Sequence, residues 1–437
     1  MILSSITTMA CVIIDSIITG RFLGTDAVAA TGLVSPVIML ITLLCNLLGP
    51  GLGILCTRYI GMADKERVNQ VFGIVTITAF ILGLLASLVL FFTAGPLSSL
   101  LSAELKNPAI TDMTSDYLTG FSFGIIFLSL SCCISQVMMV DNDMNRSLLS
   151  TVTTLIVDVI LDLLNALVFH GGMIGMALAT TISSVFGFLV IFLHFFKKDR
   201  ILHFTCKGLK LTDLKEAIML GLSGSISQLC GVIRGFVFNF ILAASQAEAV
   251  AAFAVANSAN YVILSVIISV LVTTDTLTSM FYGEEDRNSL YRVMDIAMKK
   301  TIKMTLILSL IYLIFTGPVT RIFLTKDALA TSALATDFLR ILTVQFMIMS
   351  LTFPVIGGFM GVGRSDLGNL AAVLREGIYP IVCVALLGMA FKIPGFEAGL
   401  VLTGVLSLFT TFLLPALSNK KSRAVPGIFW CFLKNSI

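Results

Sequence analysis

Residues 71–94 read VFGIVTITAFILGLLASLVLFFTA, 24 positions without one charged side chain. At a rise of about 1.5 Å per residue, a helix of this length spans roughly 36 Å, more than the ~30 Å hydrocarbon core of a bilayer. Lipid offers no hydrogen bonds, so a segment buried there must satisfy its own backbone, which a helix does. Similar runs recur outward from this one in both directions, residues 304–323 among them. Over all 437 residues, 57% are hydrophobic and 12% charged, against about 25% charged in soluble domains. Mean hydropathy is +1.01. The chain therefore reads as an all-α membrane protein. A water-soluble fold and a disordered chain are both excluded. The formal net charge of +3 is too small to argue for a nucleic-acid partner.

Twelve transmembrane helices are expected, at 2–23, 33–56, 70–93, 114–139, 148–169, 173–196, 217–243, 250–280, 297–323, 334–360, 367–390 and 395–417. Lys and Arg favour cytoplasmic connections. With both termini cytoplasmic, the cytoplasmic segments hold 21 of them. The opposite side holds five: Arg21, Lys106, Arg321, Lys326 and Lys392. This fixes an orientation and an even number of spans. The domain reading is an N-lobe at 1–196, a basic cytoplasmic linker at 197–216, a C-lobe at 217–417 and a cytoplasmic tail at 418–437. The apolar run begins at Met1 with no basic segment before it, so the first span is expected to start this sequence, and the abrupt start raises the expectation of a short missing cytoplasmic N-terminal segment.

The two halves repeat. Thr25-Asp26-Ala27-Val28-Ala29-Ala30 returns as Ala247-Glu248-Ala249-Val250-Ala251-Ala252, 222 positions later. At that offset Tyr59-Ile60-Gly61 faces Phe281-Tyr282-Gly283, and Asp64-Lys65 faces Asp286-Arg287. Arg146-Ser147 faces Arg364-Ser365 at an offset of 218. Parallel six-helix repeats of this kind characterise alternating-access carriers, with the binding site between the halves.

Carboxylates inside spans are costly and mark function. Asp15 lies in mid-span, with Thr8, Cys11 and Thr19 on its helical stripe. Asp158 and Asp162 are four residues apart and share a helix face with Thr154 and Asn165. Two desolvated carboxylates side by side do not both stay ionised unless a cation joins them. Such a site takes up H⁺ or Na⁺, the latter with hydroxyl and amide oxygens completing its shell. The second half carries no central carboxylate in its seventh span. Arg234 and Asp275 read as snorkelling or water-facing groups. Gln228, Asn257 and Asn260 either line a cavity or serve as interhelical hydrogen-bond glue. The 32 Phe and 19 Met either furnish an adaptable pocket or fill the lipid-facing surface.

Nine cysteines, most of them within apolar runs, form no CxxC pair, and three histidines are too scattered for a zinc site. No P-loop or HExxH sequence occurs. An enzyme is not expected, no cofactor beyond the coupling ion is implied, and uphill transport would draw on an ion gradient.

The segment Asp15-Ser16-Ile17-Ile18-Thr19-Gly20-Arg21-Phe22-Leu23-Gly24 with Thr25–Ala30 resembles the first-span motif of MATE (multidrug and toxic compound extrusion) transporters. Asp141 to Arg146, Asp158 to Asp162, Gly175-Met176-Ala177-Leu178-Ala179-Thr180 and Tyr282-Gly283 resemble later signatures of that family, in its bacterial and archaeal branch related to DinF and MepA. The resemblance covers essentially the whole chain. It implies the MOP-superfamily fold, two pseudo-symmetric six-helix lobes around a V-shaped cavity. It also implies efflux of organic cations and other amphipathic compounds in exchange for H⁺ or Na⁺, by a monomer in a bacterial or archaeal plasma membrane. The implied cation-coupling set is Asp15, Asp158, Asp162 and Thr180, with Na⁺ at the three carboxylates. Asp158 stands where the family usually has Asn, which adds a charge. The alternatives are a lipid-linked precursor flippase of the same superfamily, for which a basic cavity is expected, and a non-transporting membrane scaffold.

Overall fold

A computed structural model describes residues 2–138, 141, 143–197, 200–325 and 328–417. The expected tail at 418–437 lies outside the described residues, as does the side chain of Thr8. Regular structure among the described residues is helical throughout. The α-helices are α1 (Ile2–Ile18), α2 (Thr25–Asn46), α3 (Gly49–Gly61), α4 (Lys65–Leu101), α5 (Pro108–Ser122), α6 (Ile125–Ser135), α7 (Met144–Leu164) and α8 (Gly172–Phe192). They continue as α9 (Leu211–Ser245), α10 (Ala247–Gly283), α11 (Arg287–Phe323), α12 (Leu329–Met349), α13 (Thr352–Gly361), α14 (Ser365–Val373) and α15 (Tyr379–Leu417). Wider π turns at Thr19–Leu23, Asn165–Phe169 and Leu374–Ile378 extend or join them. Lys392, at φ 55°, kinks α15. Among the described residues nine helical segments are long and apolar enough to cross a membrane, or ten if α5 and α6, bent by 52°, form one span.

The repeat is visible in the backbone. Helices α4 and α11 are each 37 residues long and begin 222 positions apart. Each follows a left-handed residue, Ala63 or Glu285, both at φ 57°. Each is capped by an aspartate whose carboxylate meets the orphan N–H groups of the first turn: Asp64 accepts from Arg67 N, and Asp286 from Asn288 N and Ser289 N, all at 3.1 Å. In both halves the following helix breaks early, α5 giving way to α6 and α12 to α13.

The chain folds as two compact units, residues 3–232 and residues from 233 onward, divided within α9. In the first, Leu48, just before α3, and Leu52 and Leu55 of α3 share a core with Val68, Val71, Phe72 and Val75 of α4. Leu202, within the 197–216 stretch, is fully buried in the same core. The stretch of residues 200–216 is docked on the first unit: His203 N donates to Asn69 Oδ1 at 2.7 Å, and Arg67 pairs with Asp213 at 3.1 Å. His194 secures its entry. The buried imidazole lies 2.8 Å from Asp141 Oδ2 and 2.7 Å from Asp143 Oδ2, and Lys197 Nζ joins Asp143 at 2.7 Å.

In the second unit the core is aromatic. Phe238, Phe253, Phe338 and Phe396 meet edge to face with centroids 5.0–5.9 Å apart, a favoured geometry for ring quadrupoles. These four phenylalanines are packing residues of α9, α10, α12 and α15.

Candidate functional site

In the first unit, α1, α7 and α8 assemble the acidic cluster. Cys11 and Asp15 are one turn apart on α1, and Asp158 and Asp162 one turn apart on α7. Cys11 Sγ lies 3.1 Å from Asp158 Oδ2 and 3.8 Å from the Asp15 carboxylate. Ligating atoms of Cys11, Asp15 and Asp158 all fall within 4.8 Å of one another. The Asp15 and Asp162 carboxyls face each other at hydrogen-bonding range. From α8, Ser183 Oγ donates to Asp158 Oδ1 at 3.0 Å, and Thr180 lies within reach of Asp158 and the Tyr117 hydroxyl. Asp158 and Asp162 are each only 1% exposed. The Oδ1 atom of Asp162 is buried without a hydrogen-bond partner.

These three carboxyls are acted on by one another, Cys11, Ser183 and Thr180. So close together and so dry, they need a proton or a metal cation between them. The donor set is carboxylate and hydroxyl oxygen, hard ligands that suit H⁺ or Na⁺, with one soft sulfur at the rim. Both oxygens of residue 158 face donors, Cys11 S–H and Ser183 O–H. Ser183 Oγ is also 2.9 Å from Thr180 O, so its single proton serves one of the two oxygens and its lone pairs remain able to accept.

The four-residue polar stripe on α7 divides. Thr154 donates to Ser150 O at 3.0 Å and packs against Gly187 of α8, where any Cβ would collide with its hydroxyl. Asn165 clasps the turn to α8: its Nδ2 donates to Gly172 O and its Oδ1 accepts from Gly171 N, both at 3.0 Å. Those two side chains hold helices, and Asp158 and Asp162 hold the site. Thr19 is buried one turn beyond Asp15. Gln228 is exposed on α9. Asn257 reaches Tyr261, and Asn260 is buried with neither amide atom partnered.

A second ionic cluster, in the second unit, was not anticipated as a site. Arg234 NH1 lies 2.6 Å from Glu376 Oε2, and Arg375 Nε 3.0 Å from Glu376 Oε1. Arg375 also sits 3.9 Å over the Phe353 ring, with NH1 3.4 Å from Thr352 Oγ1. Arg375, expected in a cytoplasmic connection, is 7% exposed within a membrane-crossing segment. Removing it from the cytoplasmic count leaves 20 against five, so the charge asymmetry persists. Arg234, expected to snorkel, is instead paired. The signal was in the repeat: Glu376 stands 11 residues after Ser365, as Asp158 stands 11 after Ser147.

A family model described as MatE matches residues 1–164 and 225–385. The multidrug export protein MepA of Staphylococcus haemolyticus (strain JCSC1435) is 24% identical over 230 residues, 52% of this chain and 50% of the relative. MepA of Staphylococcus aureus (strain NCTC 8325 / PS 47) is 25% identical over 218 residues, 49% of this chain and 48% of the relative. The alignments thus span about half the length of these curated relatives. An inward-facing multidrug resistance MATE family transporter of the MOP superfamily superposes with a TM-score of 0.82 at 21% identity, over 94% of this chain and 96% of that one. An outward-facing conformation gives 0.73 at 20% identity, over 99% and 94%. At these identities the likeness is one of fold.

Proposed function

The chain belongs to the MatE family, and on that premise we propose that it is a secondary transporter exporting organic cations or other amphipathic compounds in exchange for H⁺ or Na⁺. The observation that carries this reading is the cluster of Asp15, Asp158 and Asp162, with Asp162 Oδ1 buried and unpartnered. Three carboxyls crowded together are a poor structural device, because the bare charges repel and lose their hydration. They form a good receptor for a small cation. The sequence resemblance to proteins named multidrug export proteins and the apolar spans support small amphipathic substrates and a membrane setting; on this reading the membrane is the plasma membrane and the protein acts as a monomer.

The coupling follows from the charge balance. With a cation bound, α1, α7 and α8 can close around a neutralised site. Without it, repulsion between Asp15 on α1 and the pair on α7 favours a different packing of α1, whose π turn at Thr19–Leu23 lies one turn beyond Asp15. A cation that prefers one packing shifts the equilibrium between them by its difference in affinity.

Ethidium uptake into energised everted vesicles, which is efflux in the cell's sense, tests the reading. Efflux should stop when the coupling gradient is collapsed, and dissipating ΔpH and the Na⁺ gradient separately names the ion. Asp15→Asn and Asp162→Asn should each abolish coupled efflux. Parental rates in both variants would remove the cluster from the mechanism.

A further inference from the structure

Glu376 lies about 16 Å along its helix from Ser365, given ~1.5 Å per residue, and so near the middle of a ~30 Å hydrocarbon layer. Arg234 falls near the middle of the apolar segment Ser225–Ser245. The triad Arg234–Glu376–Arg375 is therefore at mid-span on both helices. Its charges do not balance: two guanidiniums meet one carboxylate, and both oxygens of that carboxylate are already engaged. A surplus positive charge at this depth is expensive unless something neutralises it. Phe353 offers its π face to Arg375, which eases that charge without cancelling it. Arg234 keeps 29% of its side chain exposed, so an entering group can reach it. Tyr261 lies close enough to feel the Arg234 charge, and Asn260, beside it on α10, is buried with both amide atoms unpartnered.

We infer that this cluster is a binding site for an oxyanion, a carboxylate or phosphate group, docked on Arg234 and balancing the surplus charge. The planar fork of a guanidinium suits such groups. Glu376 holds the two arginines in place and sets the net charge at one positive unit, enough for one monoanion. The first unit then takes a cation and the second an anion, each at the equivalent depth of its repeat. Amphipaths carrying a carboxylate would thus be ligands as well as simple cations. This deepens the transport reading, yet it concerns binding and can be measured without transport.

The test compares rhodamine B, which has a free carboxylate, with its ethyl ester, which has none. Fluorescence anisotropy reads the binding of each to the purified full chain in detergent. The wild-type protein should prefer the acid by about tenfold, the scale of one hydrogen bond to a charged group. Arg234→Gln should abolish the preference, and Glu376→Gln, which adds a net positive charge, should increase it. Opposite signs from two members of one ion pair are not produced by a purely structural role, which would weaken binding in both. Inorganic phosphate as competitor separates the sources. If it displaces the acid but not the ester, a free oxyanion fills the site; if it displaces neither, the site takes an oxyanion carried on an amphipath. Equal binding of acid and ester by the wild type, or no binding of either, overturns the inference, as does a preference that survives in a folded Arg234→Gln protein. Ethidium efflux by the wild type, measured separately, reports on the transport reading alone.

Discussion

Asp158 and Glu376 hold equivalent places in the two repeats and have opposite surroundings. Asp158 faces a thiol, a hydroxyl and two more carboxyls, whereas Glu376 is clasped by two arginines. Duplication fixed where an acid sits on the helix, and the neighbours then decided its chemistry. One acid sits among other acids and hydroxyls, and the other is paired with two guanidiniums.

Asp158→Asn tests what the third carboxyl adds. The variant restores the family's usual residue and leaves Asp15 and Asp162 in place. Efflux of ethidium is expected to persist at a rate within a few-fold of wild type, while the number of cations bound per turnover falls. The check is the reversal potential of reconstituted protein under imposed ion gradients. An unchanged stoichiometry would show that Asp158 carries no exchangeable cation.

Cys11 gives the proposed cation site a soft ligand. Its Sγ, with the carboxylates of Asp15 and Asp158, offers three ligating atoms within 4.8 Å, and thiolate with carboxylate favours Zn²⁺ or Cd²⁺ over Na⁺. Cd²⁺ is expected to inhibit efflux at micromolar concentration. Cys11→Ser, which retains a donor to Asp158, should export normally and need at least about tenfold more Cd²⁺ for the same inhibition. Equal sensitivity would move the metal's action elsewhere, for instance to exposed Cys206.

The spans, the repeat and the three acids were legible because each leaves a local or periodic mark on the sequence. Hydropathy marks a span, a constant offset marks a duplication, and Asp162 is conspicuous among leucines. The roles of Thr154 and Asn165 were not legible. Spacing put them on the face of Asp158 and Asp162, but their hydrogen bonds depend on Ser150 and on the turn at 171–172. The Arg375–Glu376 pair was hidden for a different reason. Adjacent charges of opposite sign look like a helix end, and their partner, Arg234, is 142 residues away.

Asp143 and His194 set an acid limit on stability. Burial opposes the Asp143 charge, but hydrogen bonds from Lys197 and His194, with Arg146 nearby, outweigh it and hold the carboxyl below its usual range. A carboxyl lowered in the folded state stabilises above its unfolded value of about 3.9, and that contribution is lost as pH falls through the lower, folded value. The melting temperature in detergent should therefore owe nothing to this group's titration between pH 5 and 8 and should drop below about pH 4. Asp143→Asn should flatten that acid decline. His194→Ala removes the group hydrogen-bonded to both Asp141 and Asp143 and should cost about 1–3 kcal/mol, as stripping a partner from buried polar groups does. Parallel acid melting of wild type and Asp143→Asn would exclude the linkage.

Thr154 and Gly187 offer a clean separation of packing from ion chemistry. A methyl group at 187 would meet the Thr154 hydroxyl directly, and Ser150 Oγ donates to Gly187 O at 2.7 Å on the same contact. Gly187→Ala should force α7 and α8 apart and destabilise by about 1–3 kcal/mol, the usual range for overpacking. Thr154→Ala removes the obstructing hydroxyl, so the double variant should regain most of that loss. The two changes are in contact and must show a coupling energy if the contact is real. Thr154→Ala alone should export ethidium at the parental rate, because Thr154 bonds within its own helix rather than to the carboxylates. A double variant no more stable than Gly187→Ala would remove the contact, and a loss of coupled efflux in Thr154→Ala would return this threonine to the cation site.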